Sequence, residues 1–282
     1  MTVTLATDLD RTLFPNGKQP DDGTMPVFRR FVEEHKIPLV FATGRHLRQI
    51  EDGITRYGAP APDYAIAEVG TRFYRREGGK LTEDADFVRH IADHTRGWDV
   101  TAFRQALASL PLRPQPEEHQ NRFKLSYFLD DLDRAGEVRQ EAAERLGALT
   151  PDANIVWSID ETENQGLLDV LPRRANKMEA LEYLRHRLNL RKQTIVYCGD
   201  SGNDLLPLTH GYRAVLVANA IDDVRAEVEK VAREKGLLDR TYFAAGDPGR
   251  RLSGHYVSGI LEGLLHFGIL CKEEWVRLNR GG

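Results

Sequence analysis

Residues 3–12 read VTLATDLDRT, and this stretch decides the fold. Its first half is apolar or β-branched, as expected of a buried strand, and two carboxylates, Asp8 and Asp10, follow directly. Ligands of open α/β sheets bind beyond the carboxyl ends of the strands. Two carboxylates at such a place can take different roles, one as nucleophile or metal ligand and the other as general acid and base. The alternative is an ordinary polar turn after a strand.

A strand-and-helix pattern is found on both sides of a central stretch of the chain. Short apolar runs alternate with segments whose apolar residues have helical spacing, which is typical of parallel βαβ units with helices on both faces of the sheet. The pattern predicts an α/β fold with a Rossmann-like, doubly wound parallel sheet. Its predicted strands are 38–42, 64–69, 194–198 and 214–217, and its predicted helices are 25–35, 46–57, 176–187, 221–235 and 254–267.

The central stretch has a different composition. Residues 110–120 are rich in proline and charge, which predicts a loop. A strand at 124–129, a helix at 133–146 and a strand at 154–159 predict a small α+β unit with one exposed sheet face. The expected domains are a core of residues 1–78 and 169–282 and an inserted domain of residues 79–168.

The composition argues against several classes of protein. The 282 residues include 39 Lys and Arg against 43 Asp and Glu, and the formal charge of −4 argues against nucleic-acid binding through bulk charge. No apolar run approaches the roughly 20 residues of a membrane helix, and the N-terminus lacks the pattern of a signal peptide. Two cysteines, Cys198 and Cys271, are too few for a disulfide framework. We therefore expect a cytoplasmic protein with no membrane and no nucleic-acid partner.

Three further polar clusters follow predicted strands or open predicted helices. Thr43, Gly44 and Arg45 offer a hydroxyl and backbone N–H groups to an anion, or else a helix cap and a turn. Lys177 lies in a first helical turn, where its charge opposes the helix dipole; a bound phosphate would explain it, and the alternative is an exposed lysine. Residues 199–204, GDSGND, form an oxygen-rich loop that suits Mg²⁺, or a tight polar turn.

Together the four clusters supply a carboxylate nucleophile, an anion-binding hydroxyl, a cation and a metal-binding loop. Phosphoryl transfer needs this set, because its catalysis is mostly positioning and charge stabilisation. On these residues the chain resembles the aspartate-nucleophile phosphatases of the haloacid dehalogenase superfamily, and the insert stands where that superfamily carries its type-2 cap. The segments that match the four motifs of the superfamily, in order, are DLDRT (8–12), ATGR (42–45), RRANK (173–177) and GDSGND (199–204).

Within the superfamily the chain is most similar to the sucrose-phosphate phosphatases. The resemblance implies a Mg²⁺-dependent phosphoric monoester hydrolase of a sugar phosphate, with sucrose 6-phosphate as the expected substrate. The segments that carry this similarity are DYAIAEVGTRFY (63–74), FKLSYFLDD (123–131), LLDVLPRRANK (167–177), YCGDSGND (197–204) and HYVSGILEGLLHFG (255–268).

The resemblance also implies roles for individual residues. Asp8 would attack phosphorus, and Asp10 would protonate the leaving sugar oxygen and later deprotonate water. Mg²⁺ would be held by Asp8, the backbone carbonyl of Asp10 and Asp200, with Asp204 behind them or bound through water. Lys177 would neutralise charge on Asp8 and the phosphoryl group. The residues expected to bind phosphate or substrate are Leu9, Thr43, Gly44, Arg45, Lys177 and Asn203.

Sugar specificity is expected in the insert, because a sugar requires hydrogen-bonding side chains and an aromatic face. The candidates are Lys124, Ser126, Tyr127, Glu161 and Asn164, with Glu117 and His119 of the proline-rich loop at the rim. Trp157 is expected to pack in the cap instead.

Several alternatives stay open on the sequence. The four motifs cannot separate sucrose 6-phosphate from mannosylfructose phosphate, mannosyl-3-phosphoglycerate or a monosaccharide phosphate. A phosphomutase would return the phosphate to a sugar from the same aspartyl phosphate, and a non-catalytic sugar-phosphate sensor would only bind. The expected partners are the small-molecule sugar phosphate and a glycosyltransferase that produces it.

Overall fold

The protein contains two β-sheets, seen in a computed structural model that describes residues 3–95, 97–160 and 163–279. The strands of the larger sheet are β1 (Thr4–Thr7), β2 (Leu39–Ala42), β3 (Tyr64–Ala67), β4 (Arg72–Glu77), β5 (Lys80–Glu83), β10 (Ile195–Gly199), β11 (Arg213–Leu216) and β12 (Thr241–Phe243). The strands of the smaller sheet are β6 (Arg113–Pro114), β7 (Leu125–Leu129), β8 (Ala153–Asp160) and β9 (Gln165–Pro172).

The larger sheet has the strand order β12-β11-β10-β1-β2-β3-β4-β5. Its first six strands are parallel, and β4 and β5 continue it in antiparallel pairing. Strands β1, β2 and β10 are buried along their whole length, which is why they read as continuous apolar runs. The strand order places β1 in the interior of the sheet, between β2 and β10.

Helices cover both faces of this sheet, which confirms the predicted doubly wound α/β fold. Helices α1, α2, α9 and α10 pack against one face, and α3, α6, α7 and α8 against the other. Their bounds are α1 Met25–His35, α2 Leu47–Tyr57, α3 Ala85–His94, α6 Lys177–Arg187, α7 Leu205–Leu208, α8 Asp222–Glu234, α9 Tyr256–His266 and α10 Lys272–Asn279. Among the described residues, no helix combines the length and the apolar character needed to cross a membrane.

The smaller sheet forms a separate α+β layer, as predicted for the insert. All its pairings are antiparallel, in the order β6-β7-β9-β8. Helices α4 (Val100–Leu107) and α5 (Ala135–Leu149) pack on one face, where their apolar residues meet those of β7 and β9. The other face carries polar side chains, among them Ser126, whose hydroxyl donates to Asp169 across the β7–β9 pair (2.6 Å).

The bounds of the insert are a proposal, since the division after residue 78 was predicted from composition. Strand β5 pairs with β4 inside the larger sheet, and Phe87 and Ile91 of α3 pack in the core of that sheet. At the other end, β9 continues within the smaller sheet to Pro172. We therefore propose an insert that begins after α3 and ends with β9.

Candidate active site

The two acidic clusters meet at the carboxyl edge of the larger sheet. Asp8 directly follows β1 and Asp200 directly follows β10, and these strands are parallel neighbours in which Thr7 is paired with Cys198. The backbone N–H of Asp8 continues the ladder by donating to the carbonyl of Cys198 (2.9 Å). Asp8 and Asp200 are far apart in sequence but therefore lie close together at the carboxyl edge of the sheet, where open α/β sheets bind their ligands.

Lys177 lies at the centre of this cluster and is almost completely buried. The side chain of Asn176 caps α6 by accepting from the backbone of Glu179 (3.0 Å), so that Lys177 is the first residue of the helix. Its ammonium group donates to Asp8 Oδ1 (2.8 Å), Asn203 Oδ1 (2.7 Å) and Asp204 Oδ1 (2.9 Å). Burial disfavours its charge, but Asp204 and Asp8 outweigh this and raise the pKa of Lys177. The lysine predicted to serve the phosphate site is therefore held charged against the predicted nucleophile.

Asp204 is fully buried, and both of its carboxylate oxygens are occupied by donors of the chain. Oδ1 accepts from Lys177 and from the hydroxyl of Tyr197 (2.6 Å). Oδ2 accepts from the backbone N–H groups of Asp200 and Ser201 (3.2 Å each). This arrangement favours a role for Asp204 in fixing Lys177 and the loop over direct metal ligation.

One carboxylate oxygen from each of Asp8, Asp200 and Asp204 lies within 4.8 Å of the others, and within this cluster Asp8 and Asp200 are the candidate ligands of a divalent cation. Burial raises the pKa of Asp8 well above its usual value, and the charges of Asp204 and Asp200 raise it further against the opposing effect of Lys177. Burial and Asp204 likewise raise the pKa of Asp200 to about 7. Burial and the nearness of the other carboxylates therefore disfavour the ionised forms of Asp8 and Asp200, and a hard cation with carboxylate ligands would offset this effect.

The side chain of Arg45 contacts Asp10. Its guanidinium binds the carboxylate of Asp10 through both Nε (2.9 Å to Oδ2) and Nη2 (2.7 Å to Oδ1), and a role of Arg45 in phosphate binding stays a prediction. The amide of Asn16 also donates to Asp10 (2.6 Å), and the Arg45 guanidinium lies 5.2 Å from the ring centre of Phe14. Arg45 thus holds the predicted general acid and base.

Three other predicted phosphate ligands are Thr43, Leu9 and Asn203. Thr43 is buried, and its hydroxyl oxygen accepts from the backbone of Arg45 (3.2 Å), which leaves its hydrogen to donate to an anion. The side chain of Leu9 lies in the core, so that only its backbone can serve an anion. The side-chain oxygen of Asn203 accepts a hydrogen bond from Lys177, and its amide nitrogen can donate to an anion.

A tight turn, Glu68–Gly70, links these residues to α6. The backbone of Val69 donates to the carbonyl of Thr43 (3.0 Å), and that of Glu68 donates to the carbonyl of Arg45 (3.1 Å). Gly70 has φ 102°, and a Cβ there would lie 2.2 Å from the backbone of Asn176. We call residues 43–45 the anion loop, after the anion that they are predicted to bind. The turn therefore fixes the distance between the anion loop and the start of α6.

The predicted sugar-binding residues of the cap separate into two groups. Lys124 and Ser126 lie on the polar side of the smaller sheet, where the Lys124 ammonium donates to the carbonyl of His119 (3.1 Å) and lies 3.5 Å from Asp169. Tyr127 is 5% exposed and packs in the apolar core beneath α4 and α5. Its position there argues against contact between Tyr127 and the sugar.

The cap contacts the core beside the anion loop. The ring of His119 lies 5.3 Å from that of His46, and the amide of Asn121 donates to Thr71 (2.8 Å). Asn164 and Glu117 are exposed, whereas Glu161 lies outside the described residues. Trp157 packs at the apolar cap core, as expected.

Sequence reasoning missed several residues that hold the carboxylates. Thr12 donates to Asp200 (3.1 Å) and stands inside the DLDRT segment, so its place in the motif was a usable signal. Tyr197 lies in an apolar strand and Asn16 in a loop, and nothing in the local pattern distinguishes them from packing or turn residues.

The sheet and its buried lysine–aspartate cluster are the fold and the site expected of the haloacid dehalogenase superfamily. The family model of sucrose-6F-phosphate phosphohydrolase matches residues 1–268, and the chain belongs to this family. It is 39% identical over 269 residues to a protein of Nitrosococcus oceani named as a HAD-like hydrolase, a match that covers 94% of this chain and 71% of that protein.

Two further relatives extend the comparison to sugar phosphates. The mannosylfructose-phosphate phosphatase of Agrobacterium fabrum is 29% identical over 272 residues, which is 94% of this chain and 96% of that enzyme. The solved sucrose-phosphatase of Synechocystis sp. PCC6803, in complex with sucrose and phosphate, superposes with a TM-score of 0.76 at 25% identity and covers 95% of this chain and 99% of that one. The chain is a sugar-phosphate phosphatase of the haloacid dehalogenase superfamily.

Proposed function

We propose that this enzyme hydrolyses sucrose 6-phosphate to sucrose and phosphate with the help of Mg²⁺. The observation that carries the substrate is the similarity along the whole chain to a sucrose-phosphatase solved with sucrose and phosphate. The Lys177–Asp8 contact of 2.8 Å, in a buried carboxylate cluster, supports the chemistry. Phosphate transfers first to Asp8 and then to water.

The residues act in two steps. In the first, Asp8 attacks phosphorus while the hydroxyl of Thr43 and the charge of Lys177 stabilise the phosphoryl oxygens. Asp10 donates a proton to the leaving sugar oxygen, and in the second step it takes a proton from the attacking water. Bound at Asp8, Asp200 and the backbone carbonyl of Asp10, Mg²⁺ would supply further charge stabilisation.

Asp10 can act as an acid only if its contacts with Arg45 change. The guanidinium donates to both carboxylate oxygens of Asp10, and the side chain of Asp10 is 40% exposed. To hold a proton for the leaving oxygen, Asp10 must give up at least one of its bonds to Arg45. We propose that docking of the sugar phosphate beneath the cap makes this exchange.

A second candidate substrate is mannosylfructose phosphate, because the Agrobacterium enzyme matches this chain over nearly its full length. Released phosphate should be measured for sucrose 6-phosphate, mannosylfructose phosphate, mannosyl-3-phosphoglycerate and glucose 6-phosphate, with Mg²⁺ and with a chelator. We expect the highest kcat/KM for sucrose 6-phosphate and loss of activity with the chelator. A tenfold preference for another ester would refute the substrate, and full activity in the chelator would refute the metal. An isomeric sugar phosphate as the product would indicate a phosphomutase.

We also propose a source for the substrate and a compartment for the reaction. Its sugar phosphate requires a glycosyltransferase to join the two sugars, and we propose that such an enzyme supplies the substrate in the cytoplasm. Both cysteines are unpaired, which suits a reducing compartment.

A further inference from the structure

Arg11, the fourth residue of the DLDRT segment, has an unusual backbone conformation. Its φ is 58°, in the left-handed region that long side chains seldom adopt. Its backbone N–H donates to the side chain of Asn16 (2.8 Å), and its carbonyl accepts from the side chain of Asn219 (2.6 Å). These two bonds stabilise the conformation and fix the direction in which the arginine leaves the backbone.

That direction brings the guanidinium to Asp200. Nε of Arg11 lies 3.3 Å from Oδ2 of Asp200, while Oδ1 of the same carboxylate accepts from the hydroxyl of Thr12 (3.1 Å). Nη2 of Arg11 donates to the backbone carbonyl of Asn219 (3.1 Å). A positive charge of the chain therefore lies against one of the carboxylates that we propose to hold the metal.

The charges of the cluster give this contact a consequence. Asp8, Asp200 and Asp204, when ionised, carry three negative charges, and Lys177 and Arg11 supply two positive ones. The cluster then has a net charge of −1. A bound divalent cation changes this net charge to +1, and a phosphate dianion bound afterwards changes it back to −1. Because like charges a few ångströms apart repel and unlike charges attract, Arg11 opposes the cation and favours the phosphate.

We propose that Arg11 is a positioning residue that sets the balance between metal and phosphate affinity. It orients Asp200, weakens Mg²⁺ binding and strengthens phosphate binding, so that the metal-loaded site retains the positive charge that captures the substrate. This inference rests on the metal site of the proposed function. A purely structural brace would instead weaken both ligands when it is removed.

The test uses Arg11→Gln and Arg11→Gly, with Arg11→Lys as the matched control that keeps the charge. Arg11→Gly also relieves the left-handed backbone, so this variant is expected to fold. Calorimetry measures Mg²⁺ binding without substrate, and then inorganic phosphate binding at saturating Mg²⁺. In both uncharged variants we expect Mg²⁺ to bind about tenfold more tightly and phosphate about tenfold more weakly. Arg11→Lys should stay within about threefold of the unmodified enzyme for both ligands.

The possible failures are distinguishable. If the unmodified enzyme binds no Mg²⁺, the proposed metal site is wrong, whatever the variants do. If it binds Mg²⁺ but Arg11→Gly changes neither affinity, or changes both in the same direction, the role of Arg11 is wrong and the proposed function stands.

Discussion

Replacing Gly70 with alanine should destabilise the protein and slow its catalysis, because this glycine separates the anion loop from the start of α6. A Cβ at residue 70 would lie 2.2 Å from the carbonyl carbon and 2.5 Å from the carbonyl oxygen of Asn176. Asn176 caps α6 and directly precedes Lys177. The added methyl group must therefore push the turn and Lys177 apart.

The expected cost has two parts, and a matched variant separates them. Gly78 has φ 56° with no atom within 4 Å of an added Cβ, so Gly78→Ala meets only the left-handed backbone, at roughly 1–2 kcal/mol. Gly70→Ala meets a similar backbone cost and also overpacking, which adds about 1–3 kcal/mol. The difference between the two variants is the signal.

Urea unfolding followed by circular dichroism gives both free energies, and phosphate release gives kcat. We expect Gly70→Ala to lose about 2–5 kcal/mol of stability in total and about tenfold in kcat, because the ammonium of Lys177 shifts relative to Asp8. Gly78→Ala should keep the kcat of the unmodified enzyme. Equal losses of stability in the two variants, or full kcat in Gly70→Ala, would refute the reasoning.

Three other outcomes follow from the site and its surroundings. Asp8→Asn should keep its circular dichroism spectrum but lose turnover of every phosphate ester; near-normal phosphate release would exclude Asp8 as the nucleophile. Asp10→Asn should release about one nitrophenol per site from p-nitrophenyl phosphate and then stop, because this leaving group needs no acid but the second step needs a base; stopped-flow absorbance that shows steady turnover would contradict this. Although burial favours neutral Glu182, hydrogen bonds from Arg185 and Tyr212 lower its pKa from 4.5 to about 2. Its stabilising effect is therefore complete above pH 4.5 and lost as the pH falls towards 2, so Glu182→Gln should flatten the decline of Tm over that range, and an unchanged slope would speak against it.

The central strands were predictable because parallel strands buried on both faces leave continuous apolar runs in the sequence. The hairpin of β4 and β5 was not, since its segment RFYRREGGKLTE is charged and half exposed and carries no such run. Antiparallel strands at a sheet edge bury one face at most, and the composition there resembles that of the loops. The predicted start of the insert, residue 79, therefore falls between the two strands of this hairpin.

The polar clusters were predictable because each follows a strand or opens a helix that the sequence reveals. Which atoms they contact was not: Arg45 could reach a phosphate or Asp10, and spacing does not distinguish the two. Tyr127 is a different case, since side chains alternate along a strand. Because Ser126 and Tyr127 are neighbours on one strand, their side chains point to opposite faces, and the sequence alone was sufficient to separate the two candidates.

The position of β1 also bears on how the chain is made. One of its two neighbours, β2, is synthesised soon after it, but the other, β10, emerges from the ribosome only after the whole cap. Until then β1 offers an unpaired apolar edge, the kind of surface on which nascent chains aggregate. Translation that halts before residue 195 would leave β1 with one unpaired edge, through which an unfinished chain can associate with others.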